Sequence, residues 1–231
     1  MSLPSSDEPA DFVFPGGGDK TIVMGATGSG KTVFAAWLLS HQRLDLRPWV
    51  ALDFKGEELW DRVGSPPIRR LRLGEMPGRR GLHLMSVLPG QEDELEEWLW
   101  KIWRHGNIGL FADEVTLIPK RHAFKAILRQ GRSRLIPVIA CTQRPVDVDR
   151  EVFTETNYKS VFRLEDERDY KIIQGFTRRA AIDRPLPRRW SYWYDGNRGR
   201  LLVLKPVPPP STVAETLRGG APRTATWAFG R

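Results

Sequence analysis

The sequence predicts an α/β fold, a mostly parallel sheet covered by helices on both faces. Two observations lead there. From Lys20 onward, short apolar runs alternate with longer stretches of helical periodicity. Strands that are apolar on consecutive residues belong in a sheet buried on both sides. The first of these runs also ends in a glycine-rich turn that passes directly into a helix pattern, as parallel strand–helix units do.

Taken in order, Ile22–Met24 reads as the first strand, and Val33, Ala36, Trp37 and Leu39 mark the helix after it. Trp49–Phe54 is a buried-strand run. Residues 61–82 are rich in Arg, Gly and Pro, and Leu82–Leu88 is a short strand candidate. In Gln91–His105, Leu95, Trp98, Leu99 and Ile102 share one face, and Glu92, Asp93 and Glu94 occupy the end where the helix dipole favours acids. The tryptophans there read as core. Ile108–Ala112 is a strand ending in Asp113-Glu114, and Arg121–Gln130 is helical. Ile136–Cys141 is a strand ending at Thr142-Gln143-Arg144-Pro145; Ser160–Leu164 is a further strand and Asp166–Gln174 a short helix. Trp190–Tyr194 and Arg200–Leu204 flank Asp195-Gly196-Asn197-Arg198-Gly199, a hairpin signal.

A chain of 231 residues, 40% of them hydrophobic, supports one sizeable domain with a real core. Residues 1–18 read as a flexible polar leader and 19–205 as the domain. The Pro-rich residues 206–231 read as a tail whose composition argues against core packing. No apolar run is long enough to span a membrane, and the N-terminus lacks the features of a secretion signal. The lone cysteine, Cys141, gives no disulfide framework, and four scattered histidines give no metal-ligand spacing. A cytoplasmic location is expected. The formal charge is +8 and the pI about 9.9, compatible with a polyanionic partner. The excess gathers late, at Arg178, Arg179, Arg184, Arg188, Arg189, Arg198, Arg200 and Lys205.

Gly25-Ala26-Thr27-Gly28-Ser29-Gly30-Lys31-Thr32 matches the phosphate-binding loop G-x-x-x-x-G-K-[ST], between a strand and a helix as that motif requires. The glycines let the backbone approach a ligand closely. Loop and helix amides then point at phosphate oxygens, aided by the helix dipole. Lys31 is expected on the β/γ oxygens and Thr32 on Mg²⁺, so the ligand is a nucleoside triphosphate such as ATP.

The acids after Ile108–Ala112 complement this loop, because ligands bind beyond the carboxyl ends of parallel strands. Asp113 is expected to hold Mg²⁺ and Glu114 to polarise an attacking water as general base. A water-activating carboxylate favours hydrolysis over transfer to a second substrate. Gln143, closing the next strand on the same edge, can hydrogen-bond both the γ-phosphate and the water. Arg132 and Arg134 precede that strand at its amino end, away from their own subunit's nucleotide. In a ring, an arginine there would face a neighbour's γ-phosphate.

Together these residues resemble the FtsK–HerA superfamily of P-loop DNA translocases. The resemblance rests on the phosphate loop, on Asp53-Phe54-Lys55-Gly56-Glu57 as a variant of D-P-K-G-E, on Asp113-Glu114, and on Cys141-Thr142-Gln143-Arg144-Pro145 as a variant of A-T-Q-R-P. It covers roughly residues 20–175. It implies a RecA-like core, a homo-oligomeric ring (a hexamer in the family), ATP-driven movement of double-stranded DNA, and Arg132 as the trans-acting arginine, with Arg134 and Arg144 in reserve. A bare motor of this length is most similar to the DNA-packaging ATPases of membrane-containing icosahedral viruses and phages, which would add capsid vertex proteins as partners and a virion-associated location. A plasmid or host translocase and a filamentous-phage assembly ATPase are alternatives within the class. A small P-loop phosphotransferase is the alternative outside it, disfavoured by Glu114 and Gln143. A scaffold that binds ATP without turnover is disfavoured by the full set of Lys31, Thr32, Asp113, Glu114 and Gln143.

Overall fold

The computed structural model describes residues 12–56, 58–63, 68–177 and 186–219. The elements are β1 (Lys20–Met24), α1 (Lys31–Ser40), β2 (Pro48–Asp53), α2 (Glu58–Val63), β3 (Arg69–Leu71), β4 (Gly81–Ser86), α3 (Glu92–His105), β5 (Gly109–Ala112), α4 (His122–Gln130), β6 (Val138–Thr142), α5 (Arg150–Glu155), β7 (Tyr158–Val161), α6 (Glu167–Phe176), β8 (Ser191–Asp195), β9 (Arg200–Leu204) and α7 (Pro210–Gly219). They build one nine-stranded sheet in the order β3-β4-β2-β5-β6-β1-β7-β8-β9. The first seven strands of that order are parallel, and the β8–β9 hairpin continues the sheet antiparallel from β7. This is the fold class the alternating pattern predicts.

Period-two alternation splits the core into two layers. Ile22 and Met24 of β1 face one layer, closed by Leu95, Trp98 and Ile102 of α3 and Phe124 and Ile127 of α4. Val23 faces the other, closed by Phe34 and Leu38 of α1 and by Trp60 of α2. Both faces of each central strand are therefore dry, which explains the near-absence of polar residues in β2, β5 and β6. Cys141 sits inside β6, fully buried and in register with Val23 of β1. On α3 the predicted face is the buried one, and the three acids occupy the first turn.

Two expectations about the chain ends are corrected. Phe12 and Phe14 of the supposed leader pack against Trp37 of α1 with ring centroids 5.7 and 5.0 Å away. The supposed tail contains α7, whose Val213, Ala214 and Leu217 are buried in the layer of α1 and α2. Prolines at 206, 208 and 209 precede that helix and Pro210 is its first residue, where no backbone N–H is needed, so they do not oppose it. Residues 1–11 and 220–231 lie outside the described set. Elements α2, β3 and α5 were not foreseen; β3 is an edge strand with only Leu71 buried, too short to leave a pattern. Among the described residues no helix is long and apolar enough to cross a membrane.

Two lysines lie inside strands at the amino ends of the sheet, Lys20 on β1 and Lys159 on β7, each 4% exposed. Lys159 donates to the Thr156 carbonyl at 2.8 Å, and burial pushes its pKa down to about 8. The unfolded chain thus holds this proton more tightly than the folded one. The resulting penalty on stability is complete below pH 8, shrinks as pH rises toward the ordinary lysine value, and vanishes above it. Lys159→Met is expected to be more stable than the parent at pH 7 by up to about 3 kcal/mol. That gain should fade in denaturation series carried toward pH 10.5; a gain independent of pH would contradict the assignment.

Candidate nucleotide-binding site

The carboxyl ends of five neighbouring strands assemble the site. Along this edge stand Lys55 after β2, Asp113 and Glu114 after β5, Gln143 after β6, the phosphate loop after β1, and Phe162 after β7. Because β6 lies between β1 and β5, Gln143 falls between the loop and the acids. A linear reading puts these residues on one edge; the strand order supplies their sequence across it.

The loop is tied down by backbone bonds. Gly25 N–H donates to the Thr142 carbonyl at 3.1 Å, and Ala26 N–H to that of Arg163 at 2.9 Å. Gly28 and Gly30 have φ of 72° and 100°, which l-residues with side chains rarely adopt. At Gly25 the reason for glycine is steric: a Cβ would lie 2.6 Å from both Phe162 Cβ and Ser29 Oγ. Ser29 Oγ is buried and has no hydrogen-bond partner among the described residues. Lys31 is 6% exposed at the first turn of α1, which contains no acidic residue to compete for its amides. An anion is what such a turn is built to meet.

Gln143 is joined to the loop, its Oε1 accepting from Thr27 Oγ1 at 3.1 Å. Asp113, 1% exposed, accepts from Phe54 N–H at 3.1 Å. Glu114 has both carboxylate oxygens engaged. Lys55 Nζ lies 2.8 Å from Oε2, and Thr116 Oγ1 donates to Oε1 at 2.9 Å. Asp53 accepts from the backbone N–H groups of Lys55 and Gly56, folding the chain back so that Lys55 reaches across to β5. Lys55 appeared in the sequence only as part of a motif, and its contact with Glu114 is the functional pairing that linear reasoning missed. The β2–β5 adjacency that creates it is not written in either segment. Glu57, next in that motif, lies outside the described residues.

The donor set fits Mg²⁺. It offers the hydroxyl of Thr32 and the buried carboxylate of Asp113, hard oxygen ligands few enough to leave room for waters and phosphates. Among the described residues no cluster of three or more His, Cys, Asp or Glu could form an all-protein cage.

The three candidate arginines separate. Arg134 is spent on its own fold, its guanidinium 3.8 Å from the ring centroid of Trp103 and donating to the Trp103 carbonyl. Arg144 stands at the nucleotide edge and pairs with Asp166 at 3.6 Å. Arg132 is exposed at the amino edge and borders an open cavity of about 610 Å³ that Lys20, Lys159 and Glu155 also line. Of the late basic cluster, Arg178, Arg179 and Arg184 lie outside the described residues, and Arg198 pairs with Asp195 at 3.8 Å. Arg189, counted with this late cluster, lies beside the phosphate loop, its Cγ 3.5 Å from where a Cβ on Gly30 would stand.

A parallel sheet with the phosphate loop after β1, paired acids after β5 and an amide after the strand between them defines a P-loop nucleoside triphosphatase. No protein-family model matches the chain. It is 33% identical over 223 residues to DNA packaging ATPase P9 of Enterobacteria phage PRD1, spanning 92% of this chain and 97% of that protein. The chain belongs to this family of DNA-packaging ATPases, as the motif resemblance anticipated. In fold it is similar to the genome-packaging NTPase B204 of Sulfolobus turreted icosahedral virus 2, solved with ATPγS, at TM-score 0.61 and 17% identity over 82% of this chain and 98% of that one. The pCW3 conjugation coupling protein TcpA, at TM-score 0.55 and 14% identity over 86% of this chain and 64% of that one, shares the architecture too.

Proposed function

We propose that this chain is a genome-packaging motor that hydrolyses ATP to drive double-stranded DNA into a viral capsid. The observation that supports it most is the convergence of Lys31, Thr32, Gln143, Asp113 and Glu114 on one sheet edge in a chain of the packaging-ATPase family. Loop amides and Lys31 bind and orient the phosphates of ATP. Thr32 and Asp113 would hold Mg²⁺, which would supply positive charge against the transferring phosphoryl group. Glu114 accepts the proton of the attacking water once it turns from Lys55, and Gln143 orients that water against the γ-phosphate. With Glu114 as the base for water, hydrolysis is the reaction. The working form is a homo-oligomeric ring, a hexamer by family resemblance, acting in the host cytoplasm and docking on capsid vertex proteins.

Duplex phosphates are gripped by exposed late basic residues, among them Arg188, Arg198 and Lys205. The test is ATP turnover with and without random-sequence duplex, alongside binding measured across a salt series. Duplex should stimulate hydrolysis, and affinity should vary little with sequence because among the described residues no base-reading module accompanies the arginines. Arg198→Ala combined with Lys205→Ala should lower the log–log salt slope by up to about 1.8, about 0.9 for each lost phosphate contact. An unaltered slope accompanied by a broken ring would assign these residues to assembly.

A further inference from the structure

The phosphate loop is one wall of a cavity of about 340 Å³, a volume suited to a nucleotide. The opposite wall comes from the far end of the chain. Arg189 and the run Pro206–Pro210 line this cavity together with Gly30, Thr32 and Gln143. The Arg189 side chain lies against the loop, its Cγ 3.5 Å from where a Cβ on Gly30 would stand. Its backbone has φ of 65°, a conformation uncommon for a residue with a long side chain. An exposed arginine held in that conformation beside the phosphate loop is a positioned cation.

The two wall elements are fixed from both sides. Arg189 stands two residues before β8, whose Trp193 is buried and stacks at 5.2 Å on Tyr158 of β7. Pro206–Pro210 bridges β9, hydrogen-bonded into the sheet, and α7, docked against α1 and α2. Four of those five residues are proline, so the strap has few conformations to lose when a ligand arrives. Its side chains are all hydrocarbon, with Val207 half-buried among the prolines, and it lines the cavity together with Thr32 and Val33 at the start of α1.

The geometry points to a nucleotide pocket completed in cis by the C-terminal segment: Arg189 is a second phosphate-binding cation beside Lys31, and the Pro206–Pro210 strap is the apolar wall against which the base lies. This rests on the phosphate loop being the nucleotide site, and the experiment separates the two. Binding of ATP and of inorganic tripolyphosphate, which has no base, is measured by calorimetry with Mg²⁺ on the full chain. Arg189→Ala is expected to weaken both ligands about tenfold or more, as loss of a charge-assisted phosphate contact does. Arg189→Gly suits the positive φ, so an equal loss there assigns the effect to the cation and not to a disturbed backbone. Arg189→Lys should recover part of it. Val207→Asp should weaken ATP and leave tripolyphosphate close to the parent value. Parent-like binding of both ligands by Arg189→Ala, with binding abolished in Lys31→Ala, would overturn the proposal and leave the loop assignment standing. Failure of the parent chain to bind either ligand would overturn both.

Discussion

Glu114→Gln is expected to bind ATP as the parent does and to lose at least about a hundredfold in hydrolysis. The amide keeps the volume and the hydrogen bond from Thr116 but cannot take a proton. It also ends the ion pair with Lys55, which holds the carboxylate at 2.8 Å. Two readouts therefore separate two roles. If Glu114 is the base, hydrolysis falls at every pH while nucleotide affinity stays within a few-fold. If Glu114 serves only to anchor Lys55, then Lys55→Met should reproduce the whole loss seen in Glu114→Gln, whereas a base role leaves Lys55→Met with a smaller one. Lys31→Ala provides the contrast, since removing that ammonium weakens nucleotide binding itself. Normal turnover by Glu114→Gln would remove this residue from the mechanism.

Arg132→Ala should cost roughly 10³–10⁵ in rate if its guanidinium acts on a neighbour's nucleotide. The fold leaves it best placed for this. Arg134 is stacked on Trp103 and Arg144 is paired at the carboxyl edge, whereas Arg132 is exposed at the amino edge. It stands near Lys20, whose pKa burial lowers most, Glu155 raises back in part and Arg132 lowers again. The measurement mixes Arg132→Ala subunits with Lys31→Ala subunits, each inactive alone. Activity should reappear in the mixed assemblies, because an Arg132→Ala subunit keeps an intact phosphate loop that the Arg132 of a Lys31→Ala neighbour can serve. No activity beyond that of the separate variants would show that Arg132 serves only its own subunit, and the trans role would fall.

What could be read from the sequence follows physical range. The phosphate loop, the acids after β5 and Gln143 after β6 each sit within a few residues of an apolar strand. A short window therefore contains both the element and the residue at its end. The Lys55–Glu114 contact needs β2 beside β5, a tertiary fact. Helix α7 was hidden because its apolar residues Val213, Ala214 and Leu217 are few and follow a proline run. Compositional averaging over 206–231 dilutes them. Arg189 was grouped with the late basic cluster since nothing local announces a positive φ at an arginine. Lys20 and Lys159 break the rule that charges stay outside. Burial of a charged side chain is set by what packs over the strand, which no strand spells out.

Cys141 is the chain's only thiol and has no exposed surface. In the native state it should be nearly silent to alkylating reagents, so a cysteine introduced anywhere on the surface can be labelled against a dark background without first removing one. The silence is itself informative. One residue, Thr142, separates Cys141 from Gln143, and its strand lies between β1 and β5 at the centre of the sheet. A reagent reaches it only when those strands part, so its slow modification times the opening of the sheet centre. A nucleotide that holds β1 and β6 together should lengthen that time, turning one buried sulfur into a clock for occupancy of a site it never touches.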